Sequence, residues 1–220
     1  MVENKSMSKR KTANGSGSLT AEDWVRAAAR AIEEGGVTAV AVEPLARKLG
    51  VTKGSFYWHF KNRGALLEAV LERWEEECTE AVITAAEGIS DPRERLVWVF
   101  DEAIADEFLI GRHTSQPGIF FSSAFEQEIS DAADDPVVGT FLRHVAERRV
   151  DYLEECYRAL GCSTEEAHHR GLLAYAAYVG TMRLGREVPG RVPQGDGYRA
   201  YRRHLISTLV PPKESRPIVS

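Results

Sequence analysis

Cysteine is scarce: Cys78, Cys156 and Cys162 are the only three in 220 residues, and no two form a CxxC pair. The spacing gives neither a disulfide framework nor a metal motif, and an odd number of thiols suits a reducing, cytoplasmic setting. Long apolar runs are missing too. Nothing approaches the ~18 consecutive apolar residues of a transmembrane helix, so no membrane partner is expected. The N-terminal stretch MVENKSMSKRKTANGSGS has no apolar segment of the kind a secretory signal needs. No stretch alternates polar and apolar residues with the two-residue period of a half-buried strand. Catalytic signatures are also lacking: there is no GxSxG, no HExxH and no glycine loop for phosphate. The chain is therefore read as non-enzymatic, with no cofactor and no metal.

What remains is an ordinary balance of 43% hydrophobic and 28% charged residues, enough for one large or two small helical domains. The charge is unevenly placed. Residues 1–64 carry a formal +5 and the remainder −10, within a total of −5. A basic head on an acidic body suggests that the head faces a polyanion.

Helix signals follow one another along the chain, so the fold class is all-α. Residues 1–18 are expected to form a disordered basic arm. Thr20, followed by Glu22 and Asp23, marks a helix start, and Trp24, Ala28 and Ile32 recur every four residues until Gly35-Gly36. A short second helix holds Pro44, Leu45 and Leu49 and ends at Gly50. A third begins after Thr52 and ends near Phe60, and Asn62 caps a fourth. The fourth keeps a helical stripe through Leu67, Val70, Leu71, Trp74, Cys78 and Val82 to about Ala86. Asp91-Pro92 restarts the chain, and further helices fit 91–110, 119–130, 136–160, 163–184 and 196–210. Residues 211–220 read as a flexible tail.

The segment LARKLGVTKGSFYWHF has the form of a helix-turn-helix. Leu45, Leu49, Val51, Phe56 and Phe60 would lock its two helices together. Lys53, Gly54, Ser55 and Trp58 then point away from the core, with Tyr57 at the flank. Gly54 lets the helix end come close to a surface, and Thr52 leaves backbone N–H groups at the positive helix end for a phosphate. Such a helix offers its first residues to base edges in the major groove.

The stretch AARAIEEGGVTAVAVEPLARKLGVTKGSFYWHFKNRGALLEAV resembles the DNA-binding domain of the tetracycline-repressor (TetR) family. The resemblance spans about Leu19 to Leu71 and rests on the ordered series LARKLGV, FYWHF and KNRGALL. It implies base or sugar contacts from Lys53, Gly54, Ser55 and Tyr57, and phosphate contacts from Tyr57, His59, Lys61 and Arg63. It also implies a helix-turn-helix domain over 19–64 and a helical effector-binding and dimerisation domain over 65–210. One departure stands out. Family members often start helix two with Thr, whereas this chain has Val42-Glu43. Valine cannot cap, and Glu43 would repel a phosphate unless it accepts from a cytosine amino group. The arm residues Lys5, Lys9, Arg10 and Lys11 are then candidates to reach the DNA instead.

In the body, 163–184 mixes small residues with Leu172, Tyr175 and Met182, a pattern that fits an interface or an ordinary core equally well. The resemblance favours a homodimer interface, drawn from His168, Leu172, Tyr175, Val179, Met182, Tyr201 and Leu205. It likewise implies an apolar cavity for a small effector, for which Trp98, Phe108, His113, Phe120, Phe121, Phe125, Tyr175 and Tyr178 are candidate walls. Glu165 and His169 share a helical face, but two ligands make no metal site. The expected partners are double-stranded operator DNA, a small-molecule effector and a second copy of the chain. The function implied is a ligand-responsive regulator, a repressor first of all. An activator, a ligand-independent regulator, or an enzymatic or small-molecule-binding body with a vestigial head remain the alternatives.

Overall fold

The computed structural model describes residues 19–104, 121–188 and 190–212, and every regular element among them is helical. Helix α1 (Ala21–Gly35) starts with a reciprocal cap. The Asp23 amide donates to Thr20 Oγ1, and the Thr20 amide donates to Asp23 Oδ2 at 2.8 Å. Trp24, Ala28 and Ile32 are all fully buried on its inner face. The helix ends at Gly36, whose φ of 73° is one that glycine adopts without strain. A 3₁₀ turn, Val37–Ala39, leads to α2 (Val42–Lys48). Gly50, at φ 71°, turns the chain into the five-residue α3 (Lys53–Tyr57). Phe60 is buried just past the end of α3.

Helix α4 (Arg63–Glu75) is capped by Asn62, whose side chain accepts from the Ala65 amide at 2.9 Å. It runs without a break through a π-helical turn, Glu76–Glu80, into α5 (Ala81–Glu87). The sequence stripe predicts Cys78 and Val82 on the buried face. In the structure the fully buried positions after Trp74 are Thr79, Ile83 and Ala86. A π turn carries one extra residue, so the inward face slips by one position. The turn is bonded from far downstream. The Arg149 guanidinium donates to Thr79 Oγ1 at 3.0 Å and to the Cys78 carbonyl at 3.3 Å.

Helix α6 (Pro92–Ala103) has the expected Asp91 cap and Pro92 start. Its predicted extension to 110 lies outside the described residues. Helix α7 (Ser123–Asp131) begins later than the predicted 119, because Ser122 caps it by accepting from the Phe125 amide. Helices α8 (Pro136–Ala159) and α9 (Thr164–Glu187) are both 24 residues long and form the most extensive pairing among the described helices. Helix α10 (Asp196–Leu209) closes the body. It is tied down by Tyr157, which donates to the Leu209 carbonyl at 3.0 Å, and by Tyr198, which donates to the Ile104 carbonyl at 2.8 Å.

Among the described residues, two apolar cores result. The first joins α1–α4 to α7 and the start of α8, with Trp24, Phe56, Leu67, Trp74, Phe125 and Val138 at its centre. It therefore runs across residue 64, where the sequence suggests a domain boundary. The second lies among α5, α6, α8, α9 and α10.

Candidate nucleic-acid interface

The helix-turn-helix is built from the inside out. Phe56 is fully buried and packs edge-on against Trp24, with ring centroids 5.3 Å apart, and lies 5.7 Å from Phe60. A five-residue helix has almost no stability of its own, so this aromatic contact is what holds α3 in place. The Val51 amide donates to the Ala46 carbonyl at 2.9 Å and fixes the turn.

With Phe56 and Phe60 turned inward, the neighbouring side chains are displayed outward. Tyr57 is 54% exposed and Trp58 88%, the largest exposure of any big apolar side chain among the described residues. Lys53, Gly54 and Lys61 are also exposed, and Ser55 and His59 half-buried. A Cβ added at Gly54 would meet only Thr52 Oγ1, at 3.6 Å, an ordinary contact. Nothing inside the fold demands glycine there, which leaves the missing side chain available to an external surface. Thr52 precedes α3 without capping it through its side chain.

Two charged residues have partners that the sequence does not reveal. Arg63 is engaged within the fold. Its guanidinium donates to the Val37 and Val40 carbonyls, each at 2.7 Å, tying the start of α4 to the turn before α2. The geometry gives it a structural role that the sequence does not reveal. Lys53 Nζ lies 2.8 Å from Glu43 Oε1, so α2 and α3 are bridged at their N-terminal ends. The pairing lowers the Glu43 carboxyl below its ordinary range, chiefly through the hydrogen bond from Lys53, and raises the Lys53 ammonium. The N-cap of α2 is Ala41 rather than Val42, and no side chain caps it.

Compared with known proteins, the head is distinctive. The family model described as "Bacterial regulatory proteins, tetR family" matches residues 25–70. The "HTH-type transcriptional regulator TtgR" of Pseudomonas putida is 34% identical over 87 residues, covering 37% of this chain and 41% of that protein. The class A tetracycline repressor from transposon 1721 of Escherichia coli is 44% identical over 48 residues, 22% of each chain. The head, residues 25–70, is a TetR-family helix-turn-helix domain. The stretch matched to TtgR spans about two fifths of that relative's length.

The TetR-like architecture extends through the body. Reduced NemR of Escherichia coli superposes with a TM-score of 0.69 over 89% of this chain and all of that one, at 15% identity. AibR, crystallised with isovaleryl coenzyme A and operator DNA, gives a TM-score of 0.62 over 88% of this chain and 99% of that one, at 17% identity. These likenesses show the fold: an N-terminal helix-turn-helix followed by a helical domain.

Of the described candidate effector residues, Phe121, Phe125, Tyr175 and Tyr178 gather around Trp74 and Arg149, and Trp98 lies apart. Phe108, His113 and Phe120 lie outside the described residues. Phe121 and Phe125 sit in the first core with ring centroids 4.6 Å apart, while Trp98 packs at the edge of the second. Tyr175 and Tyr178 flank a polar cluster that sequence reading misses. Arg149 pairs with Glu126 at 2.8 Å, and Tyr178 donates to the other Glu126 oxygen at 3.0 Å. The Arg149 guanidinium lies 5.3 Å from the Trp74 ring centroid. Burial pushes the Tyr178 phenol far above its ordinary range, with Glu126 adding to the shift.

The candidate dimer residues divide as well. Along α9 the small residues Ala167, Gly171 and Ala174 are buried. A Cβ on Gly171 would come within 3.0 Å of Glu154 Cγ, so this stripe serves close packing against α8 in the same chain. Leu205 is buried within the chain, and Tyr201 shares a hydrogen bond with Thr181 at 2.9 Å. Met182 is half-buried, and His168 Nδ1 is held 2.7 Å from Glu154 Oε1. Leu172 and Val179 remain exposed, and Leu173, Leu184 and Val188 join them on the surface. The spacing of Leu173 and Leu184 on α9 is the signal that would have found those two.

Proposed function

We propose that the protein is a cytoplasmic, homodimeric, ligand-responsive transcriptional repressor. In this reading each α3 enters the major groove of one half-site of a roughly palindromic operator. The observation that carries it is the division of labour in α3: Phe56 is wholly buried while Tyr57 and Trp58, its next two neighbours, are 54% and 88% exposed. A solvated surface gains nothing from two large exposed rings beside Lys53 and Lys61, whereas a DNA groove offers them sugar, base and phosphate partners.

The exposed apolar row on α9 supports self-association, since covering Leu172, Leu173, Val179 and Leu184 would remove them from water. AibR, of the same fold, is a protein solved in complex with isovaleryl coenzyme A and operator DNA. The response proposed for this chain is release from the operator by a small apolar or amphipathic effector in the body. Such an effector acts only by binding the DNA-incompetent arrangement of the heads more tightly than the competent one.

The deciding experiment is a gel-shift titration with DNA from upstream of the protein's own coding sequence at several salt concentrations. A salt-sensitive complex that outlasts excess random DNA is the expected result. Retardation no stronger than with random DNA overturns the reading.

A further inference from the structure

Glu43 is out of place in a surface that meets DNA. It is 66% exposed in its side chain, sits in the first turn of α2, and carries the wrong charge for a phosphate. Its carboxylate does not cap α2, because the N-cap residue is Ala41 and no side-chain bond is made there. Its partner is Lys53, the first residue of α3, at 2.8 Å. Wherever the start of α3 goes, the Glu43 carboxylate goes with it unless this pair breaks.

We propose that Glu43 and Lys53 act as one recognition unit that reads a single G·C base pair, Lys53 donating to guanine and Glu43 accepting from the cytosine amino group. The proposal rests on the regulator reading above and adds a specificity-determining residue to it.

The pair offers a donor and an acceptor side by side, 2.8 Å apart. In the major groove a G·C pair presents, in order, the N7 and O6 acceptors of guanine and then the N4 donor of cytosine. O6 and N4 are neighbours on that edge, so an ammonium over O6 and a carboxylate over N4 remain in contact with each other as well as with the bases. A T·A pair presents acceptor and donor in the same order but replaces the N7 acceptor with a methyl group. In A·T and C·G the order is reversed, which sets the carboxylate against an acceptor. The expected ranking at this position is G·C first, T·A second, and A·T and C·G last.

The pair also lowers indiscriminate binding. An unpaired Lys53 would be one more cation for the phosphate backbone, and Glu43 cancels it. Gly54, which has no Cβ to obstruct the approach, leaves the base edges accessible beside Lys53. Both groups stay charged through the neutral range, since the bond between them lowers the carboxyl and raises the ammonium.

The test uses the full-length chain and a footprinted operator in which each half-site position is varied in turn, read by fluorescence anisotropy across salt. The wild type is expected to show one position that follows the ranking above, with about tenfold or more between G·C and the reversed pairs. Glu43→Ala is expected to flatten the preference at that position alone. It should also tighten binding to random DNA and steepen the salt slope by about one. Lys53→Met should flatten the same position, and the double variant should be no flatter than either single one. Circular dichroism checks that each variant is folded. If Glu43→Ala raises affinity equally for every sequence and leaves all base preferences intact, the pair merely breaks on DNA and the proposal is wrong. A wild type with no specific complex at all overturns the regulator reading instead.

Discussion

Arg149 on α8 and Thr79 in the π turn after α4 are joined by a 3.0 Å hydrogen bond across 70 positions of chain. The same guanidinium pairs with Glu126 on α7 and lies over the Trp74 ring. One side chain thus locks three helices around a local departure from α-helical geometry. That departure lies on the continuous helix that connects the helix-turn-helix to the body.

Removing Arg149 should therefore be costly. Its side chain is 15% exposed and that of Glu126 16%, so solvent screens the pair little. Arg149→Met leaves Glu126 buried without its counter-charge and is expected to lower stability by about 3 kcal/mol. Urea unfolding followed by circular dichroism checks this. Replacing both partners, Arg149→Met with Glu126→Leu, should recover part of the loss. A single-variant loss under about 0.5 kcal/mol would show that the cluster is not holding the helices.

Substitutions on α3 should separate structure from recognition. Lys53→Ala and Tyr57→Ala touch exposed side chains, so the thermal midpoint should stay close to wild type while specific operator affinity falls by about tenfold or more. Phe56→Ala opens a cavity beside Trp24 and should cost about 3–5 kcal/mol, abolishing binding by unfolding the head. Differential scanning calorimetry and anisotropy on the same samples distinguish the two outcomes.

Leu173, 61% exposed on α9, is the strongest single probe of self-association. Leu173→Glu should leave the chain folded and shift its sedimentation towards the monomer. Operator affinity should fall by roughly 100-fold as the two heads lose their tether. An unchanged sedimentation coefficient would place the interface elsewhere.

Stability should fall on the alkaline side. Burial raises the Cys78 thiol and the Tyr157 and Tyr178 phenols above their ordinary values. In the unfolded chain these groups release protons near pH ~8.5 for the thiol and ~10 for the phenols. The folded state holds its protons longer, so it binds more of them over that range and stability declines as pH rises. Their contribution is fully present below about pH 8 and is lost progressively through pH ~9–11. Urea midpoints at intervals from pH 7 to 11 test this. Tyr178→Phe should reduce stability at pH 7, where a hydrogen bond to Glu126 is lost, and should flatten the alkaline decline.

Much of the fold is written in local signals. Thr20, Asn62 and Asp91 cap helices in the structure as their positions predict, because a cap depends only on residues within one turn. Trp24, Ala28 and Ile32 form the buried face of α1 for a similarly local reason. The reading falters where a distant residue intervenes. The inward face of α5 slips from Val82 to Ile83 because a π turn precedes it, and that turn is bonded by Arg149. The carbonyl partners of Arg63, on Val40 and Val37, lie 23 and 26 positions upstream and leave no local signal. The small residues of α9 signal close packing, but only the structure shows that α8 of the same chain takes up Gly171.

The sequence by itself determined the all-helical class, most of the helix starts, and the family of the head. Periodicity, capping and the glycine turn act over a few residues and survive without tertiary context. The tertiary structure decided which charges are committed and which faces are left over. It pairs Glu43 with Lys53, buries Arg149 against Glu126, turns Leu205 inward and leaves Leu173 in water. Those outcomes depend on distances between segments remote in the chain, and a hydrogen bond or ion pair forms only where folding brings its two ends within about 3 Å.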